Sequence, residues 1–262
     1  MTTSGDGAGG VGPDAGSSGL SALVTGASRG IGHGIVLALA ERGWSLTLAA
    51  RDPDRLEAAA SAARAAGAPE VRTVAADLAD ADAASVVLAA HDEAFGSMDA
   101  MVLAAGVGSA APLAGYPISR YDKQFALNTR APFLLVREGL PMLRAAAAAR
   151  PSRGAKVVAL ASIGGVFAEP GLSVYGASKA ALIALCRGVN AEESSAGVTA
   201  TALAPAYVDT DMTAWIHDTV PPETMIPVAD VVTAVLAVLD LSPRTVVSEL
   251  VLSRAGTAGT SA

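Results

Sequence analysis

Seven short apolar runs, separated by stretches long enough for helices, recur along the 262-residue chain, and this alternation constrains its fold more than any other feature. Runs at residues 20–25, 46–50, 71–75, 101–105, 156–161, 198–204 and 249–252 have the length of strands. Segments at 31–42, 54–66, 81–95, 119–130, 132–149, 175–195 and 228–240 have the length of helices, most of them with helical apolar spacing. A strand that returns parallel to its predecessor needs a crossover of about a dozen residues, usually a helix, and such crossovers are right-handed. The pattern therefore predicts an α/β protein with one doubly wound domain: a mainly parallel sheet of about seven strands, covered on both faces. With 52% hydrophobic and only 16% charged residues, a largely disordered chain is excluded, and there is apolar surface enough for buried strands and subunit contacts.

Neither a second domain boundary nor a short internal repeat is visible. The domain is expected over residues 20–256, with a flexible leader at 1–19 and a flexible tail at 257–262. The leader is rich in Gly, Ser and Thr and lacks a basic start and an apolar stretch, so it does not read as a signal peptide. No uninterrupted apolar run of ~18 residues predicts a membrane span. A net charge of −7 without a Lys/Arg cluster argues against a nucleic-acid partner. Cys186 is the only cysteine, so no disulfide closes within the chain, and a reducing, cytoplasmic location is expected. His33, His91 and His217 are scattered without metal-ligand spacing, and no metal is expected.

Where the first strand meets the first helix stands Thr25-Gly26-Ala27-Ser28-Arg29-Gly30-Ile31-Gly32. Glycines at such a turn let the backbone approach a pyrophosphate, while the helix N-terminus offers unpaired amides and the positive end of its dipole. The spacing, G-x-x-x-G-x-G, is not that of the common dinucleotide fingerprint. The second strand ends in Leu48-Ala49-Ala50-Arg51, where an NAD-preferring site would place an acid against the ribose hydroxyls. Arg51 with Arg29 suits a 2′-phosphate instead, which favours NADP(H) over NAD(H); Asp52 turned toward the ribose would reverse that preference. Farther along, Tyr175 and Lys179 stand one helical turn apart and share a face. A nearby lysine cation favours the phenolate, so Tyr175 is expected to give and retrieve a proton near neutral pH. Taken alone, that pair reads first as an exposed pair on a surface helix.

With Asp77-Leu78 after the third strand, Asn128 in a helix, and Ser162 at the end of the fifth strand thirteen residues before Tyr175, these features stand in an order that resembles the short-chain dehydrogenases/reductases. The resemblance runs from Leu20 to about Gly256 and is closest to ketoreductases of the 3-oxoacyl-carrier-protein reductase type. It implies a Rossmann fold and NAD(P)-dependent interconversion of carbonyl and alcohol. It also implies a catalytic set: Tyr175 as acid or base, Lys179 lowering its pKa and binding the nicotinamide ribose, Ser162 hydrogen-bonding the substrate oxygen, and Asn128 anchoring a water. On the cofactor side it implies Gly26, Ser28, Arg29, Gly30, Ile31 and Gly32 in the turn, and Arg51 after the second strand. Asp77 and Leu78 would lie near the adenine, Ala105 and Gly106 against the cofactor, and Pro205, Val208 and Thr210 at the nicotinamide end. Two departures stand out: Leu103-Ala104-Ala105-Gly106 replaces the usual N-N-A-G, and Pro205-Ala206 replaces Pro-Gly, where alanine would be strained if the backbone needs a positive φ.

The irregular stretch 210–227, with Pro221-Pro222, is a candidate lid. Its Met212, Trp215, Ile216, Met225 and Ile226 suit an apolar or acyl-type ketone, including one borne by a carrier; the same side chains would also serve to pack the lid onto the body. The leading expectation is NADPH-dependent ketone reduction. Alcohol oxidation at the same site and a non-catalytic, cofactor-binding redox sensor remain open alternatives. Helices 132–149 and 175–195 are apolar on more than one face, and the resemblance implies that they pair in a homodimer or homotetramer.

Overall fold

In the computed structural model, which describes residues 19–260, the seven apolar runs form a single sheet. The expected leader, apart from Gly19, and the last two residues of the expected tail lie outside the described residues. The strands are β1 (Ser21–Thr25), β2 (Ser45–Ala50), β3 (Val71–Ala75), β4 (Ala100–Leu103), β5 (Ala155–Leu160), β6 (Val198–Pro205) and β7 (Glu249–Leu252). Their order is β3-β2-β1-β4-β5-β6-β7, and every pairing is parallel, so the expected mainly parallel sheet is wholly so. Seven α-helices connect them: α1 (Gly30–Glu41), α2 (Pro53–Ala66), α3 (Ala83–Phe95), α4 (Ile118–Phe125), α5 (Ala131–Ala149), α6 (Ser173–Glu193) and α7 (Val228–Leu239).

Alternation along the strands sorts the core into two halves. Ala22 and Val24 of β1 face one way, toward Ile35 and Leu39 of α1, Leu56 of α2 and Val231 and Val235 of α7. Leu23 faces the other way, toward Val87 of α3, Leu135 and Leu143 of α5 and Leu182 of α6. α1 shows why the segment is helical: its buried residues Gly32, Ile35, Val36, Leu39 and Ala40 recur at three- and four-residue steps and form one stripe. β3, at the sheet's edge, is exposed at several positions, as an edge strand covered on fewer sides must be.

The strand order reverses between β1 and β4, which opens a crevice beyond their C-terminal ends. Register holds those ends level: Thr25 pairs with Ala49 and with Leu103, and Leu160 with Leu203. The segments that follow β1, β2, β4, β5 and β6 therefore emerge on one rim, and all the sequence-predicted site residues but Asn128 lie on those segments, at the end of β3 or on the start of α6.

One expected helix, 119–130, is not continuous. α4 ends at Phe125, and Ala126–Arg130 widens into a π-helical turn before α5 begins. Pro132 contributes to this break, because it has no N–H to close the ordinary helical bond to the carbonyl of Asn128 four residues back.

The opposite rim carries a buried polar network. His91 of α3 is 0% exposed; its Nε2–H donates to the Ser97 carbonyl at 3.1 Å, and its Nδ1 accepts from the Thr47 hydroxyl at 2.8 Å. Asp99 there accepts from the Ser21 amide and pairs with Arg150, both at 2.9 Å. Burial pushes the His91 pKa down from 6.5 to about 4. Between those values the unfolded chain binds a proton that the folded one refuses, so stability rises with pH across the window and falls on acidification. Wild type should lose about 2 kcal/mol at this site between pH 7 and pH 5. Urea unfolding of His91→Gln at the two pH values should show a correspondingly flatter dependence; an equally steep fall in the variant would assign the acid sensitivity to other groups.

Candidate active site

The crevice is shaped by two glycines. Beyond Thr25 the chain turns at Gly26 with φ +64°, in the left-handed region, where a Cβ would stand 2.8 Å from the Ala105 nitrogen and 2.9 Å from the Ala104 carbonyl. A Cβ on Gly32, in the first turn of α1, would run into the Gly26 carbonyl oxygen. The absence of both side chains lets the turn and the helix N-terminus settle against the strand ends. Thr25 Oγ1 accepts a hydrogen bond from the Ala105 amide at 3.1 Å, so the strand end that lacks the usual amide side chains is tied down from β1.

A groove runs over this turn. Its walls are Gly26, Ser28, Arg29, Gly30, Ile31 and Gly32, then Arg51 after β2, Asp77 and Leu78 after β3, Ala105 and Gly106 after β4, and Thr210 after β6. Tyr175, Lys179, Pro205 and Val208 line an adjoining cavity together with Ser162, and the two spaces share Ile31, Ala104, Gly106, Thr210 and Met212. Asn128 lines neither. It is fully buried behind the wall, where its Oδ1 accepts from the Val107 amide at 2.9 Å and its Nδ2 donates to the Val107 carbonyl at 2.8 Å and to Ser178 Oγ at 3.0 Å. Gly106 separates it from Lys179: a Cβ there would lie 3.2 Å from Lys179 Nζ and 3.3 Å from Asn128 Oδ1.

At its outer end the groove opens into a cup lined by Ser28, Arg29, Arg51, Asp52 and Arg55, in which Arg55 pairs with Asp52 Oδ2 at 3.4 Å, both side chains exposed. Asp52, the acid that bears on NAD against NADP, accepts at Oδ1 from the amides of Asp54 and Arg55, both at 3.1 Å, and so caps α2. Arg29 forms an ion pair with Asp211 at 3.4 Å; both side chains are more than half exposed, so the pair contributes little and opens readily.

Tyr175 and Lys179 occupy successive turns of α6. Lys179 Nζ donates to the Leu160 carbonyl at 2.7 Å and lies 5.9 Å from the centre of the Tyr175 ring. Ser162 caps the short 3-10 turn Ile163–Gly165, accepting from the Gly164 amide at 3.2 Å, and hydrogen-bonds Tyr175. α6 comes this close because Gly165 and Gly176 have no side chains: a Cβ on Gly165 would stand 2.8 Å from the Ala180 nitrogen, and one on Gly176 2.5 Å from the Gly164 oxygen.

The expected depression of the Tyr175 pKa by Lys179 does not prevail in this site. Burial pushes Tyr175 up, opposed by the Ser162 hydrogen bond, and burial brings Lys179 down to about 8. Desolvation disfavours both charged forms, and residue spacing alone does not register it.

The candidate lid, 210–227, is irregular with two 3-10 turns, Ala214–Ile216 and Pro222–Thr224. Its apolar residues divide. Met212 and Trp215 line the cavity and are 47% and 58% exposed, whereas Met225 and Ile226 are buried, with Ile226 in the core beside α1 and α7. Ala206 carries no strain: among the described residues no non-glycine has a positive φ, and its amide donates to the Leu252 carbonyl at 2.8 Å.

The sequence model of the short chain dehydrogenase family matches residues 21–220. The chain is a short-chain dehydrogenase. This dehydrogenase is 33% identical over 213 residues to the 3-oxoacyl-acyl-carrier-protein reductase FabG of Staphylococcus aureus, an alignment covering 80% of this chain and 83% of the relative. Among solved structures it resembles the Pseudomonas aeruginosa RhlG/NADP active-site complex, with a TM-score of 0.81 and 27% identity over 90% of this chain and 94% of the other. An alcohol dehydrogenase from Thermococcus sibiricus complexed with 5-hydroxy-NADP gives a TM-score of 0.81 and 26% identity, with 91% of this chain and 97% of that one covered. The dehydrogenase is thus an oxidoreductase of the kind whose fold binds a nicotinamide cofactor.

Arg55 and Tyr207 line the two spaces without having been singled out in the sequence. Arg55 was within reach, since it stands one helical turn beyond Arg51; Tyr207 lies inside the 205–210 stretch, beside residues that were.

Two left-handed glycines separate backbone strain from crowding. Gly96 has φ +66° and open space around it, so Gly96→Ala should cost about 1–2 kcal/mol through φ alone. Gly26→Ala adds a collision with immobile backbone and should cost at least about twice as much, as measured by chemical denaturation. Equal losses would show that β1 and β4 do not press together at this turn.

Proposed function

We propose that this protein reduces a ketone to an alcohol with NADPH. The observation that carries the reading is the continuity of the glycine-turn groove with the cavity onto which Ser162, Tyr175 and Lys179 open. Bound along the groove, a nicotinamide cofactor supplies hydride to the carbonyl carbon. Tyr175, protonated at neutral pH, gives its proton to the carbonyl oxygen as that oxygen becomes basic. Ser162 hydrogen-bonds the same oxygen as negative charge develops. Lys179, anchored on Leu160 by one N–H, has others to offer the nicotinamide ribose. The backbone carbonyl of Asn128, which Pro132 leaves without its helical donor, holds the water that connects Lys179 to solvent.

In the groove, the turn from Gly26 to Gly32, with Ser28, Gly30 and Ile31, cradles the pyrophosphate. Asp77 and Leu78 flank the adenine, Ala105 and Gly106 give the cofactor a close-fitting floor, and Pro205, Val208 and Thr210 receive the nicotinamide end. Arg29, Arg51 and Arg55 hold the 2′-phosphate, which favours NADP(H) over NAD(H). Asp52 supports this choice: turning it to a ribose would forfeit two amide bonds and about 1 kcal/mol of helix capping. The apolar wall of Leu172, Met212 and Trp215 supports an apolar or acyl-type ketone, carrier-bound substrates included. Alcohol oxidation is the second reading, favoured by the likeness to an alcohol dehydrogenase, and it uses the same groups in reverse. The exposed Phe133 on α5 supports a homodimer or homotetramer, and the buried free thiol of Cys186 is in keeping with the cytoplasm.

Loss of NADPH absorbance with a panel of ketones tests the chemistry. Tyr175→Phe should lower kcat by about 10²–10⁴; unchanged turnover would sink the mechanism, and NADPH binding without turnover of any ketone would turn the protein into a cofactor sensor. For cofactor choice, Arg51→Ala and Arg55→Ala should each weaken NADPH binding by about tenfold or more while changing NADH binding by less than about threefold. Equal losses for the two nucleotides would refute the phosphate assignment.

A further inference from the structure

Of the eight residues of α4, one is buried, and it is the amide Gln124, 2% exposed. A surface helix ordinarily turns apolar residues inward, so a lone inward amide needs polar partners. Its Nε2 donates to Tyr116 Oη and, at 3.3 Å, to Ser109 Oγ, while those two hydroxyls lie 2.6 Å apart. Exchanging the ends of the amide would leave two buried N–H groups unmet instead of the single oxygen, Oε1, that lacks a partner among the described residues.

Ser109 lies on the loop after β4, which walls the reaction cavity alongside Ser162 and Tyr175. The loop is held at three points. Gly108 rests on the Tyr175 ring, where a Cβ would come within 3.4 Å; Ala111 donates its amide to the Gly171 carbonyl at 2.9 Å; and Tyr116 with Gln124 grips Ser109. A hydroxyl offers one hydrogen and accepts two. Gln124 takes one acceptor position on Ser109. Either hydroxyl of the Ser109–Tyr116 pair can donate; the arrangement in which the more acidic phenol donates leaves the Ser109 hydrogen for the cavity that Ser109 lines.

We propose that Ser109 is a specificity-determining residue that donates a hydrogen bond to a second acceptor oxygen of the substrate, beyond the carbonyl that Tyr175 serves. The enzyme thereby prefers ketones carrying a neighbouring ester, thioester or keto oxygen over plain ketones. Gln124 and Tyr116 are positioning residues that aim the Ser109 hydroxyl. This rests on the ketone reading of the site and adds a substrate class to it. A plain ketone leaves the Ser109 donor without its substrate partner, and an unmade hydrogen bond discriminates more strongly than a change in apolar contact.

The test pairs ethyl 3-oxobutanoate with 2-heptanone, which match in chain length, the first carrying an ester group where the second has two methylenes. Affinity is read from Trp215 fluorescence in the full chain, since Trp215 lines the cavity while Trp44 is buried in the core, and kcat/KM is measured with NADPH. Ser109→Ala should lose about tenfold in both quantities for the keto ester and less than about twofold for the plain ketone. Tyr116→Phe and Gln124→Leu should shift the ratio between the two ketones in the same direction by a smaller factor. Equal affinity of wild type for both ligands, or equal losses on both in Ser109→Ala, would overturn the assignment. A binding preference that disappears in Ser109→Ala while neither ketone is turned over would uphold the Ser109 assignment and bring down ketone reduction instead.

Discussion

The contact between the turn at Gly26 and the backbone leaving β4 is the constraint on which the rest of the site depends. It joins the two strands at the point where their order reverses, and the packing of the turn tolerates no side chain on Gly26 or Gly32. Because β1 and β4 meet there, the α1 N-terminus faces the crevice and Gly106 stands at its floor. Lys179 and Asn128 then close on Gly106 from behind, and Gly108 carries the loop across the Tyr175 ring. The bond from the Ala105 amide to Thr25 holds this geometry in a chain that lacks the usual amides after β4.

The sheet was legible in the sequence because most of its strands are covered on both faces, so apolar runs of the right length had little other use. β3 was legible despite its exposed positions, since it fell where the alternation demanded a strand. The π-turn around Asn128 was not, because Pro132 reads in the sequence simply as the first-turn proline of the next helix. Arg55 was readable in principle, since the Asp52 cap and Pro53 start α2 where Arg55 stands four residues beyond Arg51. The groove-lining residues were readable as a set because they cluster just after strand ends, whereas Gln124, Tyr116 and Ser109 converge from a helix and two positions of an irregular loop.

The Tyr175/Lys179 pair shows how spacing and environment divide the argument. Spacing alone places a cation near a phenol and points to a lowered pKa. Burial works on both groups at once, raising the phenol and lowering the ammonium. Burial therefore opposes the depression that spacing alone suggests, and the phenol stays in its protonated form at neutral pH.

An all-parallel sheet also has a second rim. β1 and β4 begin where His91, Asp99, Ser21 and Arg150 form their polar cluster and end where the crevice opens. β1 spans five residues, so the two rims stand about 17 Å apart. Ruggedness and selectivity are thereby assigned to different ends of the same strands. A thermostabilised variant is best sought at the His91 end and a broadened substrate range at the other, and the two programmes of substitution should combine with little interference.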